Sequence, residues 1–227
     1  MKGTEKGLLK ILDGADKRLY IPVYQRNYDW KKENCELLFN DLLKLIRTNK
    51  KSHFFGSIVT AHLSGGGSED FVIIDGQQRI TTVSLLFLAM INAVKNGDAE
   101  IENQRLCEKI MDTYIVDEYS NDEKKVRLKP TKDDAEAFNK IVEGDVDRFI
   151  DNSNVTNNYS IFYNSIKEMP YNVDQLYEAI RKLCIIDIFV ENDDDPQLIF
   201  ESLNSTGLKL TEADMIRNFV LMGLDAK

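Results

Sequence analysis

The sequence predicts an α+β fold in which a small mixed sheet packs on a buried central helix, followed by a mainly helical extension. Residues 53–63 and 71–74 are rich in β-branched and aromatic side chains, and the glycine-rich run 64–68 between them predicts two paired strands. Gly56 within the first strand predicts a bulge or a close backbone approach. Residues 80–94 are apolar almost throughout, which is typical of a helix buried on most faces. After residue 98, charged segments with helical periodicity dominate.

The composition limits the classes of protein and partner. The chain has 227 residues, of which 43% are hydrophobic, so it can bury a sizeable core. The net charge of −9 argues against a general nucleic-acid coat and leaves DNA contact only to a local basic patch. Cys35, Cys107 and Cys184 are scattered, as expected in a reducing compartment. The longest apolar run, 83–91, is too short to span a bilayer, so we expect a cytoplasmic protein without a membrane partner.

The first third of the chain leads up to the paired strands. Residues 8–12 predict a brief helix. Pro22 predicts that the aromatic stretch 20–30 is an edge strand or an extended segment. Asp29 is a candidate N-cap for an amphipathic helix that reaches about residue 47. The aromatic side chains of this stretch either pack in the core, the interpretation we favour, or hold Arg26 toward a ligand; they are Tyr24, Tyr28 and Trp30.

The second half is predicted to be mainly helical. The spacing predicts helices over 100–118, 131–143, 158–168, 173–183, 197–203 and 211–222, and strands over 125–130 and 184–190. Thr131 and Asp134 resemble a capping box, and residues 151–158 read as a loop. We therefore expect a core over 1–98, a helical insertion or extension over 99–183, and a return to the core over 184–227, in a chain cut from a longer protein.

The stretch 71–82 is the best candidate for chemistry, because it predicts a strand, a tight turn at Gly76 and a helix N-terminus. Arg79 in the first helical turn opposes the helix dipole, which makes sense if an anion such as phosphate lies between them. Gln77 and Gln78 would add donors. Asp75 could hold Mg²⁺ through water or accept from a ribose hydroxyl. The alternative is that Asp75 and Gly76 form only a turn while Arg79 pairs with an acid.

Other catalytic sets are not recognisable in the sequence. His53 and His62 are nine positions apart without clustered partners, so no metal site is predicted. The acids 193–195 precede Pro196 and fit a helix cap better than a metal site. The sequence contains no Ser/His/Asp or Cys/His arrangement that could be assembled into a nucleophilic site.

Three motifs occur in order across the chain, at residues 21–30 (IPVYQRNYDW), 75–82 (DGQQRITT) and 200–218 (FESLNSTGLKLTEADMIRN). Together they resemble the DGQQR family, the N-terminal domain of GmrSD-type modification-dependent restriction enzymes and related phage-defence proteins. That family belongs to the ParB/sulfiredoxin-like superfamily. The motifs span nearly the whole chain.

The resemblance implies a ParB/sulfiredoxin-like core that binds and hydrolyses a nucleoside triphosphate with Mg²⁺ and thereby licenses DNA cleavage. By this resemblance, Asp75 and Arg79 would be catalytic. The nucleotide-binding residues would be Gln25, Arg26, Gly76, Gln77, Gln78, Arg79 and Thr81. The third motif would contribute Asn204, Asp214, Arg217 and Asn218, in part structurally.

Two alternatives stay open. A DNA-binding or nuclease module could use the same phosphate pocket, with a basic surface around Lys31, Lys32, Lys50 and Lys51. A non-enzymatic scaffold could instead dock partner proteins through residues 100–183. If the domain instead binds a nucleotide, DNA would be contacted through the full-length protein, and a downstream nuclease domain or a second copy would be its partner. Whether this chain alone is an enzyme is open.

Overall fold

The computed structural model describes residues 2–14, 16–63, 69–118, 120, 126–145 and 148–190, and it confirms the predicted α+β class. Six strands form one mixed sheet in the order β1-β6-β3-β4-β2-β5. The strands are β1 Lys2–Gly7, β2 Arg18–Tyr20, β3 His53–His62, β4 Asp70–Asp75, β5 Leu128–Lys129 and β6 Leu183–Val190. The helices are α1 Leu9–Leu12, α2 Lys32–Thr48, α3 Gln77–Lys95, α4 Leu106–Ile110, α5 Lys132–Glu143, α6 Asn154–Glu168 and α7 Val173–Arg181, and α4 continues into a π-helical turn, Met111–Ile115.

The central helix is α3, as the apolar run predicts. From Gln77 to Ala93 every residue except Arg79 is buried. The helix packs against α6, and it shares one core cluster with the inward side chains of β3 and β4, Ile58 and Ile73. A helix so enclosed has no solvent face for a polar side chain. The partial exposure of Arg79 in its first turn therefore marks the place where the N-terminal end of α3 reaches the surface.

The predicted strands 53–63, 71–74 and 184–190 lie side by side. β3 is antiparallel to β4 and parallel to β6, so the strand after α7 lies next to β3 within the sheet. The outer strand β1 is absent from the sequence prediction because its residues, KGTEKG, have weak β propensity. Its ladder with β6 supplies the hydrogen bonds that define it. The domain boundaries at 98 and 183 stay predictions.

Of the two alternatives for residues 20–30, the edge strand is wrong, since no strand continues after Tyr20, and the N-cap expected at Asp29 is also wrong. β2 pairs with both β4 and β5, so it is not an edge strand; Pro22, which has no N–H for a ladder, follows its end. Asp29 does not cap α2. The N-cap is Lys31, whose N–H donates to Asn34 Oδ1 at 3.0 Å, while the Asp29 carboxylate accepts from Lys31 Nζ at 2.6 Å.

Two expectations for the helical half are also wrong. Residues 154–158 are helical, because Ser153 Oγ accepts from the N–H of Val155 and begins α6 earlier than the asparagine-rich composition indicates. Thr131 is the N-cap of α5, but its side chain makes no capping bond; its hydroxyl donates to Asp134 Oδ2 at 2.9 Å. The capping box fails because the Asp134 carboxylate faces Tyr28 instead.

The expected helices over 197–203 and 211–222 lie outside the described residues. So does the third motif, with Asn204, Asp214, Arg217 and Asn218. Within the described part of the chain, no helix combines the length and the hydrophobicity needed to cross a membrane.

Candidate functional site

The turn between β4 and α3 strongly favours glycine at position 76. Gly76 has a φ of +96°, which L side chains rarely adopt. A Cβ at this position would lie 2.9 Å from Ile58 Cγ1 and 3.2 Å from the backbone oxygen of Ser57. The turn is therefore pressed against β3, with Asp75 ending the strand on one side and Gln77 beginning the helix on the other.

Gln25 closes a bulge in β4 just before the turn. Val59 lies opposite Asp75 and Thr60 lies opposite Ile73, so Ile74 has no residue opposite it in β3. The buried Gln25 side chain donates from Nε2 to the carbonyl oxygen of Ile74 at 2.6 Å. The amide thus takes the place of a neighbouring strand beyond the end of β2, and it fixes the backbone that leads into Asp75.

Arg79 lies on a second bulge, in β3. Phe54 is opposite Cys184 and Ser57 is opposite Ile186, so two residues of β3 face one of β6. One of the two is Gly56, with a φ of +113°; a Cβ there would lie 2.6 Å from Arg79 Nε and 2.8 Å from its Cζ. The predicted bulge or close approach at Gly56 is confirmed, and the group that approaches is the guanidinium.

The guanidinium of Arg79 has a backbone partner only, as far as the described residues go. Its Nη1 donates to the carbonyl oxygen of Ser57 at 3.3 Å. No acidic side chain within the described ranges pairs with it. The alternative in which Arg79 merely neutralises a neighbouring acid is therefore not seen in this part of the chain.

Gln78 holds an irregular segment that we call the strap (residues 26–30). Its Oε1 accepts from the N–H of Asp29 at 2.8 Å and from that of Trp30 at 3.2 Å, and its Nε2 donates to the carbonyl oxygen of Asn27 at 3.2 Å. Only 7% of Gln78 is exposed. The observed contacts of this side chain are internal, and its contact with a nucleotide stays a prediction.

Gln77 brings Arg26 to the turn. Its Nε2 donates to the carbonyl oxygen of Arg26 at 3.0 Å, which places the strap beside the first residue of α3. Its Oε1 is buried and has no hydrogen-bond partner among the described residues. Such an atom is suited to a donor that these residues do not supply, such as water or a ligand hydroxyl. Arg26 itself is half-buried.

The far side of the strap is fixed by helices α5 and α6. The N–H of Tyr28 donates to Asp134 Oδ2 at 2.6 Å, and Asn154 Nδ2 donates to the carbonyl oxygen of Tyr28 at 3.1 Å. Burial is the main cause that raises the pKa of the Tyr28 hydroxyl and of the Asp134 carboxyl. Tyr24 and Tyr28 are buried, which confirms the packing interpretation for both; Trp30 is half-buried and contacts Phe55 edge-on.

The positions of the other predicted site residues, Thr81 and Asp75, say little about their roles. Thr81 is buried within α3, and Asp75 is partly buried at the end of β4. The described residues contain no group of three His, Cys, Asp or Glu side chains that could hold a metal ion. Asp75 is the one carboxylate of the turn 75–79.

The four lysines proposed for DNA do not form one surface. Lys31 pairs with Asp29 at 2.6 Å and Lys32 with Glu36 at 3.4 Å. Lys50 and Lys51 follow the other end of α2, which has 17 residues and is about 25 Å long. The separation and the pairing both weaken a basic patch.

The sequence was compared with known protein families. The model of the GmrSD restriction endonuclease, N-terminal domain, matches residues 8–221, which is nearly the whole chain. No curated protein gives a significant match. The chain therefore belongs to the family of GmrSD restriction endonuclease N-terminal domains, a domain of restriction and phage-defence proteins.

Proposed function

We propose that this domain binds a nucleoside triphosphate with Mg²⁺ at the turn 75–79, hydrolyses it, and so regulates the restriction protein to which it belongs. The observation that carries the proposal is Arg79. Its cation lies in the first turn of α3, where the helix dipole disfavours a positive charge by roughly 0.3–1 kcal/mol. A phosphate placed between the guanidinium and the helix N-terminus turns this unfavourable arrangement into a favourable one.

The geometry of Arg79 suits a phosphate. Nη1 is bonded to the carbonyl of Ser57, whereas Nε and Nη2 have no acceptor among the described residues. A guanidinium can bind phosphate through two parallel N–H groups, and the edge formed by Nε and Nη2 offers such a pair. Gly56 supports this by letting the guanidinium lie directly on the strand, where a side chain would displace it.

Different groups at this turn would bind different parts of the Mg²⁺-nucleotide. The first N–H groups of a helix have no partner within it, so those of Gln77, Gln78 and Arg79 are suited to phosphate oxygens. Arg26, held beside Gln77, would add a second cation for the charge that develops on the transferred phosphoryl group. Mg²⁺ would neutralise phosphate charge, and Asp75 would hold it directly or through water.

The test is calorimetric titration of the folded protein with ATP, GTP and CTP, each with Mg²⁺. We expect one or more of them to bind, and Arg79→Ala to abolish binding. Arg181→Ala is the matched control, because Arg181 is an exposed arginine paired with Glu178 on α7, and this variant should bind normally. If none of the three nucleotides binds the folded wild type, the proposal is wrong.

DNA would be contacted by the full-length restriction protein. The spread lysines of α2 and the net charge of −9 do not favour this domain as the DNA-binding part. A gel shift at moderate salt separates the two functions. We expect no shift of modified or unmodified duplex by the domain alone, and a clear shift would favour the DNA-binding alternative.

A further inference from the structure

The strap has no regular secondary structure, yet side chains from three helices bond most of its backbone polar groups. Backbone groups that lack a ladder must find other partners when buried. The groups bonded by side chains are the carbonyls of Arg26, Asn27, Tyr28 and Trp30 and the N–H groups of Tyr28, Asp29 and Trp30; the partners are Gln77 and Gln78 of α3, Asp134 of α5, and Asn154 and Asn158 of α6. The position of the strap is thus set jointly by α3, α5 and α6.

Asn158 is the most deeply buried of the partners from the helical half. Only 2% of this residue is exposed. Its Nδ2 donates to the carbonyl oxygen of Trp30 at 2.7 Å and to the hydroxyl of Tyr28 at 3.0 Å. An amide nitrogen carries two hydrogens, so both are used on the strap, one on the backbone and one on a side chain.

The hydrogen bonds continue from Tyr28 to the first turn of α3 in one direction. The hydroxyl of Thr82 must donate to the carbonyl of Gln78, 2.7 Å away, because a carbonyl only accepts. Thr82 has no second hydrogen, so Tyr28 must donate to Thr82, also at 2.7 Å, and accept from Asn158. Burial raises the pKa of Tyr28, which keeps the donor protonated at ordinary pH.

We propose that Asn158 is a positioning residue for Arg26, acting through the strap. Without Asn158, the carbonyl of Trp30 and the hydroxyl of Tyr28 both lose a donor. The end of the strap is then no longer held to α6 at this point, and the bonds from Gln77 and Gln78 alone must hold its backbone in register with α3. Arg26 begins the strap and is held to the turn through its own carbonyl and Gln77. The inference rests on the proposed function, since Arg26 serves a phosphate only there. It assigns to the helical half the task of aligning that cation.

The test compares Asn158→Ala with Asn92→Ala. Asn92 is a matched control: it is a buried asparagine where α3 meets α6, and it donates to the hydroxyl of Tyr159 at 3.0 Å without contacting the strap. We expect similar losses of stability in urea from the two variants. The affinity for the triphosphate that binds the wild type should fall at least tenfold in Asn158→Ala only. In an Arg26→Ala background, Asn158→Ala should have no further effect on affinity.

Hydrogen exchange gives a measurement without nucleotide. The amides of Tyr28, Asp29 and Trp30 should exchange at least tenfold faster in Asn158→Ala, and at the wild-type rate in Asn92→Ala. If the wild type binds no nucleotide, the proposed function fails, while this exchange still decides whether Asn158 fixes the strap. Should Asn158→Ala not fold, Asn154→Ala removes only the bond to the Tyr28 carbonyl and is measured in the same way.

Three results would overturn the inference. The first is an equal affinity in the two asparagine variants. The second is an affinity loss from Asn158→Ala that persists in full when Arg26 is already alanine, because the effect would then not pass through that residue. The third is unchanged exchange of the three strap amides.

Discussion

The two sides of the turn 75–79 are built on opposite principles. On the strap side, the buried amide of Gln78 donates to and accepts from the backbone of residues 26–30, and the amide of Asn158 donates to it. On the sheet side, two glycines, Gly56 and Gly76, bring bare backbone and a guanidinium close together, and Arg79 has one bond to a carbonyl. Apart from Gln77 Oε1, the first side is satisfied by the chain itself, whereas the second offers charge that the described residues do not balance.

The difference shows how polar residues of one motif can be sorted into architecture and ligand contact. A buried donor or acceptor left unpaired costs about 1–3 kcal/mol, so the buried amide of Gln78 must be hydrogen-bonded within the chain even when no ligand is bound. A partly exposed guanidinium is solvated by water when no ligand is bound, so leaving it without an acidic partner costs little stability. Neighbours in sequence, Gln78 and Arg79, therefore have different tasks, and the variants below separate them.

The largest loss of stability should come from the strap side, with Gln78→Ala. This change leaves the N–H groups of Asp29 and Trp30 and the carbonyl of Asn27 without their partner, and we expect the free energy of unfolding to fall by about 3 kcal/mol. Urea denaturation measures it. Gln175→Ala is the control, because this exposed glutamine caps only its own helix and should cost about 1 kcal/mol. Equal losses of stability in the two variants would refute the claim that Gln78 fixes the backbone of the strap.

Gly76→Ala should follow, at about 2–3 kcal/mol, because the new Cβ would add a clash with Ile58 to the strain of a φ of +96°. Gly97→Ala provides the strain without the clash: its φ is +75°, and its Cβ would have no described neighbour within 4 Å. Thermal unfolding of the two variants isolates the contact with β3. The close packing of the turn would be disproved if Gly97→Ala were the more damaging change.

Gly56→Ala should be milder for stability, at about 1–2 kcal/mol, because the clashing group is the end of a flexible side chain. Its main effect should fall on nucleotide affinity, which we expect to drop about tenfold, or by about 1.4 kcal/mol, as the guanidinium is displaced. Calorimetric titration measures this, with Gly97→Ala as the control. An unchanged affinity would show that the place of Arg79 on Gly56 is not needed for binding.

The smallest effect concerns pH. Burial raises the pKa of Asp134, so the folded state favours the protonated acid more than the unfolded state does, and raising the pH costs stability. From about pH 4, near the ordinary carboxyl pKa, to about pH 7, wild-type stability should therefore fall relative to that of Asp134→Asn. Asparagine keeps an acceptor for Tyr28. Urea denaturation across this range tests the sign, and a relative rise would contradict it.

The parts of the fold set by local pattern could be predicted from the sequence. The apolar run of α3, the hairpin of β3 and β4 and the strand β6 follow from hydrophobic periodicity, and Gly56 was expected to allow a close approach. The partner of that glycine could not be predicted, since Arg79 is brought to it by the turn at Gly76. The sequence of β1 carries little strand signal, and only the pairing with β6 makes it a strand.

The strap could not be predicted because its partners are distant in sequence. Asn158 follows Trp30 by 128 positions, and a polar run such as 151–158 reads equally well as a solvated loop. From the sequence alone, Gln78 is likewise a candidate hydrogen-bond donor to a ligand, and only the structure shows that its amide bonds the strap backbone. A single sequence gives the residue types of this site but does not tell which of them are used internally.

The central claim is that the first turn of α3 receives the phosphates of a nucleotide. The most direct measurement is the change in backbone amide chemical shifts of the wild-type domain when the triphosphate and Mg²⁺ are added. The largest shifts should fall on the amides of Gln77, Gln78 and Arg79, with smaller ones in the strap, and they should vanish in Arg79→Ala. Binding with the largest shifts elsewhere, or no shift at these three amides, would contradict the account.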